Sequence, residues 1–411
     1  MRYRIDPKTG NRLSLLGMGC MRFPSTLGAV DHRKAEALTG KAVESGINYF
    51  DTAWMYPGNE DALGRALENL ALRDRVYLAT KLPVALIKQR KDFDRFFDEE
   101  LKRLRTDHVD YYLMHMLTGT ASWRRLSDLG IADWIRMKKE NGAVRQAGFS
   151  FHGSRDAFLK LLDVYDWDFC QIQYNYSDEN FQAGVTGLKA AAARGMPVII
   201  MEPLLGGRLA GNLPAAARAI FAAAKLHGPD GSARRAAPAA WGLRWVFNHG
   251  EATVVLSGMN TIAQIEENAA VADAAEAGSL TPEELSVYGK VRDVFNAAYK
   301  IRCTGCGYCL PCPRGVNIPG CFSACNISYV MGRAAGWQQY ATSAAFTSRA
   351  HGGPSLCTAC GRCEQRCPQK LPVVQHLREV RRRMEPFWFR LIIAGVRRFL
   401  GYHRPLPGNA A

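Results

Sequence analysis

The sequence predicts an α/β protein, a parallel (β/α)8 TIM barrel over roughly its first three hundred residues with a smaller unit after it. Three observations carry this expectation. Short apolar runs alternate with amphipathic stretches in a strand–helix rhythm. Polar residues gather at the C-terminal ends of those runs, where such a barrel keeps its chemistry. Charge and cysteine usage change abruptly near residue 300, since ten of the 12 cysteines follow it and so does +12 of the net charge of +15.

The 411 residues, 47% hydrophobic and 22% charged, suffice for a large core and a second domain. That balance excludes a disordered or collagen-like chain. No apolar run reaches the roughly 18 to 20 residues of a membrane span. The first 23 residues carry Arg2, Arg4, Lys8 and Arg12 without a long apolar core, so no secretory signal and a cytoplasmic location are expected.

In chain order, 2–5 and 11–15 flank Pro7-Lys8-Thr9-Gly10 and read as a hairpin. Eight strands are then expected at 16–21, 48–51, 76–80, 109–115, 146–150, 169–174, 197–201 and 253–256. Helical patterns between them include 33–44, 93–105, 132–141, 155–164 and 183–194. An open doubly wound sheet would show a Gly-rich phosphate turn after its first strand. Gly17-Met18-Gly19 lacks the third glycine and an immediate helix, which favours the barrel.

Asp51 and Tyr56 follow the second strand, Lys81 ends the third and His115 the fourth, while Ser150 and Gln173 end the fifth and sixth. A carbonyl that accepts hydride develops oxyanion charge, so a proton donor and fixed dipoles lower its barrier. Phenol is a weak acid, with a pKa near ~10. A neighbouring ammonium eases its proton loss, and a carboxylate holds that ammonium. A lone lysine or histidine at a strand end is ordinarily structural. The case rests on four matching groups at three consecutive strand ends.

These residues resemble the aldo-keto reductase family over roughly 5–276. The resemblance is carried by Asp51-Thr52-Ala53-x-x-Tyr56, Ala79-Thr80-Lys81, the run Asp110 to His115, Gly148-Phe149-Ser150 and the run Gln171 to Asn175. Ser257-Gly258-Met259 and Glu266-Glu267-Asn268 add to it. It implies the (β/α)8 fold and a catalytic tetrad of Asp51, Tyr56, Lys81 and His115. Tyr56 would be acid in reduction and base in oxidation, its pKa lowered by Lys81, with His115 positioning the carbonyl. It further implies a nicotinamide held by Ser150 and Gln173, with Met201, Ser257, Gly258 and Met259 at the cofactor and Glu267 and Asn268 near adenine. Phe151 stands where the family has Asn, Met201 where an aromatic stacks on the ring, and Gln264 where many members have Arg. These departures leave NADPH against NADH open and leave room for a flavin. Trp54 and the loop 118–125 are expected to line the substrate site.

The second unit contains Cys303-x2-Cys306-x2-Cys309-x2-Cys312-Pro and Cys357-x2-Cys360-x2-Cys363-x3-Cys367-Pro. The latter is the bacterial ferredoxin run, and the former is one residue shorter in its last gap. The fourth cysteine of each run serves the other cluster in two-cluster ferredoxins. One 4Fe-4S cluster is therefore assigned Cys303, Cys306, Cys309 and Cys367, and the other Cys357, Cys360, Cys363 and Cys312. A single cluster is the alternative. Disulfides do not suit a chain without an export signal, and zinc ordinarily takes paired two-cysteine knuckles. Cys321 and Cys325 read as packed thiols, and Cys20 and Cys170 as core residues. Two four-thiolate clusters would bring about −2 apiece, partly offsetting the basic charge.

A cysteine-rich extension after such a barrel resembles the iron–sulfur-containing subgroup of the aldo-keto reductases. The expected units are a barrel over 1–285, a mostly helical ferredoxin-like domain over 286–383 and a basic aromatic tail over 384–411. In the tail, arginines from Arg390 to Arg404 interleave with Phe387, Trp388, Phe389, Leu391, Ile392, Ile393, Phe399 and Leu400. The simpler reading packs these aromatics on the barrel and leaves the arginines solvated. The other lays the segment on an acidic membrane or a partner. No nucleic-acid motif accompanies the charge. The expected function is a carbonyl or alcohol oxidoreductase linked to cluster electron transfer, with an electron-transfer protein as a partner. The competing class is an electron-transfer or flavin-dependent protein whose barrel no longer uses nicotinamide.

Overall fold

A computed structural model describes residues 1–26, 29–228, 231–303, 305, 307–345, 352–367 and 369–399. Eight parallel strands close into a barrel in simple chain order. They are β1 (Leu16–Gly19), β2 (Tyr49–Asp51), β3 (Tyr77–Leu82), β4 (Val109–Leu117), β5 (Val144–Phe151), β6 (Phe169–Gln173), β7 (Val198–Met201) and β8 (Ala252–Ser257). The hairpin Tyr3–Ile5 with Arg12–Ser14 precedes them. Its turn residue Asp6 accepts a hydrogen bond from the interior Tyr111 hydroxyl at 2.7 Å.

Strand alternation sorts the side chains. Tyr49, Ala79, Tyr111, Leu113, Phe169, Ile199, Val254 and Leu256 pack together inside the barrel. Phe50, Leu78, Tyr112, Phe149, Cys170, Ile200 and Val255 join the layer between strands and helices. With a period of two, the inward series continues to Asp51, Lys81, His115, Ser150, Gln173 and Met201 at the upper strand ends. The polar residues lie where the interior opens.

The outer layer is amphipathic helix. His32–Glu44 (α1) is capped by Asp31, whose side chain accepts from the Lys34 amide. Asn59–Asn69 (α2), Asp92–Leu104 (α3), Ile131–Glu140 (α4), Arg155–Leu162 (α5), Gly184–Ala192 (α6), Pro238–Phe247 (α7) and Ile262–Asp273 (α8) follow. Pro282–Ala298 (α9) begins with a capping box between Thr281 and Glu284, and its Tyr288, Val291 and Phe295 enter the barrel's apolar cluster.

The second unit is mostly helical, with Ile318–Val330 (α10), Arg333–Tyr340 (α11), Val373–Met384 (α12) and Phe387–Phe399 (α13). Its own core gathers Ile301, Val316, Ile318, Phe322, Tyr340, Leu377, Val380 and Met384. The tail helix α13 packs there and not on the barrel, as the simpler sequence reading had it. Ile393 is buried in this core, and Phe389 stacks on Trp337 with centroids 5.5 Å apart. Trp337 is presented by α11, so the nearest aromatic partner belongs to the second unit. Leu400 and Arg404 lie outside the described residues.

Candidate active site

Lys81 and Asp51 meet because β2 and β3 are neighbours and both residues point inward. The Lys81 ammonium donates to Asp51 Oδ1 at 2.6 Å and to the Thr52 carbonyl at 2.6 Å, with both side chains almost wholly buried. It lies 5.0 Å from the centre of the Tyr56 ring, and that ring meets the His115 imidazole edge-on at 5.9 Å. The structure thus brings together all four residues singled out for proton chemistry.

Burial works against the Lys81 charge, but Asp51 and Tyr56 outweigh it and hold its pKa above the ordinary value. Burial raises Asp51, with Lys81 pulling the other way. Tyr56 departs from the expectation of a lowered pKa. Burial of the phenol raises it, and the lowering by Lys81 only partly offsets this, since Asp51 and Glu202 add to the rise. The dry pocket wins over the ammonium. His115 is pushed well below its usual range by burial, then by Lys81 and His152, so it is a neutral imidazole with one N–H to donate.

Ser150 and Gln173 also sit at the mouth, but both are already engaged. Ser150 Oγ accepts from the Met116 amide at 2.8 Å. Gln173 donates to Asp178 at 3.3 Å and accepts from Gln182 at 3.0 Å. Phe151 faces the other way, edge-on to Phe158 at 5.0 Å in the helix layer. The next inward residue is His152, whose field reaches His115 and which faces Gln182. Burial lowers its pKa to about 4. The sequence reading passed over His152, though the alternation from Gly148 through Ser150 would have found it. Among the described residues, buried His115 Nδ1, His152 Nδ1 and Gln182 Oε1 have no partner within hydrogen-bond geometry. Since buried polar atoms are ordinarily paired, this capacity suits a polar ligand such as a carboxamide or carbonyl.

Of the other predicted cofactor contacts, Met201 ends β7 and packs on the barrel interior. Ser257 accepts from Asn268 at 3.2 Å, which fastens β8 to α8. Met259 is buried in the apolar cluster of the barrel. Glu267 is exposed. A Cβ on Gly258 would come within 3.0 Å of the Arg22 side chain, so Arg22 lies across this loop, a cation the sequence reading missed. Trp54 is half-buried, and it and the loop 118–125, both expected at the substrate site, are fastened to their neighbours. Trp54 packs edge-on to Phe96 at 5.0 Å, Trp123 packs on Trp167 at 4.5 Å, and Arg125 donates to the Ile87 and Val84 carbonyls.

A second charged group lies after β6 and β7. Burial raises Asp178 to about 6, helped by Glu202 and opposed by Arg208. Burial also raises Glu202, against Arg208 and Arg22. Arg208 donates to the Ala335 carbonyl of α11 at 3.1 Å, tying this side of the mouth to the second unit.

The cysteine loops approach the same side. A Cβ on Gly305 would lie 3.8 Å from the Asn180 carbonyl, on the loop that also carries Asp178 and Gln182. Cys303, Cys309 and Cys367 line one cavity with Ile318, Phe322 and Leu371, so the last cysteine of the second run meets the first run. The two runs repeat one backbone pattern. Positive φ occurs at Gly305 (70°) and Gly307 (82°), and at Ala359 (57°) and Gly361 (73°), the same offsets from Cys303 and Cys357. The Ala359 amide points at Cys357 Sγ, 3.4 Å away. Among the described residues no three His, Cys, Asp or Glu side chains converge on a single ion. Thiolates that each bind a different iron of a cubane are spread more widely than that, so this donor set fits 4Fe-4S chemistry. Cys312, Cys360 and Cys363 are partly or fully open, Cys321 and Cys325 are buried in α10, and Cys306 and Pro368 lie outside the described residues.

The aldo/keto reductase family matches residues 15–286, and a 4Fe-4S dicluster domain matches residues 302–372. An NADP(+)-designated aldo-keto reductase of Schizosaccharomyces pombe is 24% identical over 217 residues, a match covering 50% of this chain and 62% of that protein. L-Galactose dehydrogenase of Arabidopsis thaliana is 28% identical over 295 residues, covering 68% of this chain and 90% of the relative. Among solved structures, an aldo-keto reductase from Klebsiella pneumoniae in complex with NADPH superposes with a TM-score of 0.56 at 21% identity, over 71% of this chain and 95% of that one.

Proposed function

The chain belongs to the aldo/keto reductase family and is an oxidoreductase with a 4Fe-4S domain; from that premise we propose that it interconverts a small-molecule carbonyl and its alcohol at the barrel mouth, with Asp51, Tyr56, Lys81 and His115 handling the proton. The observation that carries this reading is the buried Lys81–Asp51 pair at 2.6 Å beside Tyr56 and His115.

In reduction the carbonyl oxygen gathers negative charge, and Tyr56 gives it a proton. Lys81 offsets part of the burial penalty on the phenolate that remains, and Asp51 keeps the ammonium in place. Neutral His115 donates a hydrogen bond to the same oxygen and fixes its direction. In oxidation Tyr56 accepts the alcohol proton. A bound nicotinamide supplies or takes the hydride. Ser150, Gln173, Met201 and the backbone of Ser257, Gly258 and Met259 are the residues that would hold it, with Glu267 and Asn268 toward adenine. The names of the fission-yeast relative and the Klebsiella structure support NADP(H).

Cys303, Cys306, Cys309 and Cys367 would hold one 4Fe-4S cluster and Cys312, Cys357, Cys360 and Cys363 a second, each passing one electron at a time. The contact of Gly305 with the Asn180 loop favours a second reading, in which the clusters exchange electrons with a flavin at the mouth and with a partner protein. The outward Phe151 and the Met201 in place of an aromatic support it. Anaerobic purification with iron, sulfide and flavin quantified, followed by titration with NADH and NADPH, separates the readings. The first expects about eight irons on the ligand count of two clusters, no flavin and saturable nicotinamide binding. Stoichiometric flavin without nicotinamide binding would replace it with the second.

A further inference from the structure

We propose that α13 lies in the interface of an anionic phospholipid bilayer and holds the protein against a membrane surface. The helix is apolar on two faces. Phe389 and Ile393 turn toward the core of the second unit, which also takes Met384 and Leu377 from α12. On another face Trp388, Leu391, Ile392 and Val396 follow helical spacing, and Leu391 and Ile392 are 58% and 50% exposed. Phe387 adds a fifth exposed apolar side chain at the start of the helix. A surface helix of a water-soluble protein ordinarily turns its polar residues outward, so this outer face has the wrong chemistry for water.

The surrounding charge identifies the occupant. Arg390 and Arg398 are exposed on the same helix. Arg378, Arg381 and Arg382 of α12 join Arg390 around one open depression whose sole acidic lining residue is Glu385. The Glu385 carboxylate turns inward, accepting from the Tyr340 and Ser355 hydroxyls. Glu379 is turned toward His376, 3.4 Å away. An exposed apolar stripe on a helix whose remaining surface carries arginines, next to the arginines of α12, matches an interface of acyl chain and anionic headgroup. The described part of the helix has 13 residues, about 20 Å at 1.5 Å per residue, short of a bilayer core, and it carries Arg390, Arg397 and Arg398. Among the described residues no helix is long and apolar enough to span a membrane. It therefore lies in the plane.

The test is flotation of the intact, cluster-loaded chain with vesicles of phosphatidylcholine alone and with about 30% phosphatidylglycerol added. Binding is expected to the anionic vesicles, to weaken with salt, and to fall about tenfold or more in L391D/I392D and in R381E/R382E. Both variants should keep the wild-type iron content and visible spectrum, which separates loss of docking from loss of fold. Failure of the wild-type chain to float overturns the proposal, as does undiminished binding by L391D/I392D. A wild-type dimer that L391D/I392D converts to monomer would assign the face to a second copy instead.

Discussion

Arg208 Nη1 donates to the Ala335 carbonyl at 3.1 Å, so one buried guanidinium joins the barrel mouth to the cluster-bearing unit. The same side chain faces Asp178 and Glu202, whose pKa values rise through burial. Removing it leaves two part-buried carboxylates without their main counter-charge. R208A should lose about 2 kcal/mol of unfolding free energy, and R208K, which keeps the charge but not the planar fork, about half of that. Urea unfolding of both variants checks this. Equal losses would mean that hydrogen-bond geometry matters more than charge.

Y56F removes the proton donor and leaves the ring in place. It should lower the rate of carbonyl reduction by about 10²- to 10⁴-fold, with nicotinamide affinity changed little. K81M also strands Asp51, so it should lose activity and stability together, by about 3 kcal/mol. Steady-state kinetics with fluorescence titration of the cofactor, and denaturant melts, measure the two effects separately.

His152 is held neutral in the folded protein by burial, which lowers its pKa from the ordinary histidine value to about 4. As pH falls below that ordinary value the unfolded chain takes up the proton and the folded one does not. Stability is therefore fully present above pH ~6.5 and is lost progressively toward pH ~4, by about 3 kcal/mol for this group alone. His115 acts in the same sense. Asp178, raised to about 6, acts oppositely below that pH, because its folded carboxyl takes the proton first. The difference between wild type and H152Q isolates the histidine. The fall in unfolding free energy from pH 7 to pH 5 should be smaller in H152Q, and an equal fall would contradict the assignment.

The shared cavity of Cys303, Cys309 and Cys367 predicts which cysteines act together. C303A and C367A should abolish the same reduced-cluster EPR signal, and C312A and C357A the other. If C367A instead matched C357A, each run would serve its own cluster.

Much of this was legible in the sequence because strand ends and cysteine spacings are local. The strand ends mark Asp51, Lys81 and His115 as residues of the barrel mouth, and the spacing of Cys303 to Cys312 and Cys357 to Cys367 marks the cluster loops. What stayed hidden depends on distant packing. Phe151 and His152 exchange their apparent importance once the direction of β5 is fixed. Trp54 turns to Phe96, and Arg22 crosses the Gly258 loop, through tertiary contacts that no local pattern encodes. The rise in the Tyr56 pKa depends on how far the pocket excludes water, which a list of neighbouring charges does not reveal.

The central claim is that hydride transfer at the barrel mouth depends on Tyr56. Single-turnover mixing of the anaerobic protein with C4-deuterated NADPH or NADH and a panel of small aldehydes and ketones tests it directly. Deuterium should appear at the alcohol carbon with wild type and about 100-fold more slowly with Y56F. Product formed at the wild-type rate by Y56F, or formed without deuterium at carbon, would contradict the account.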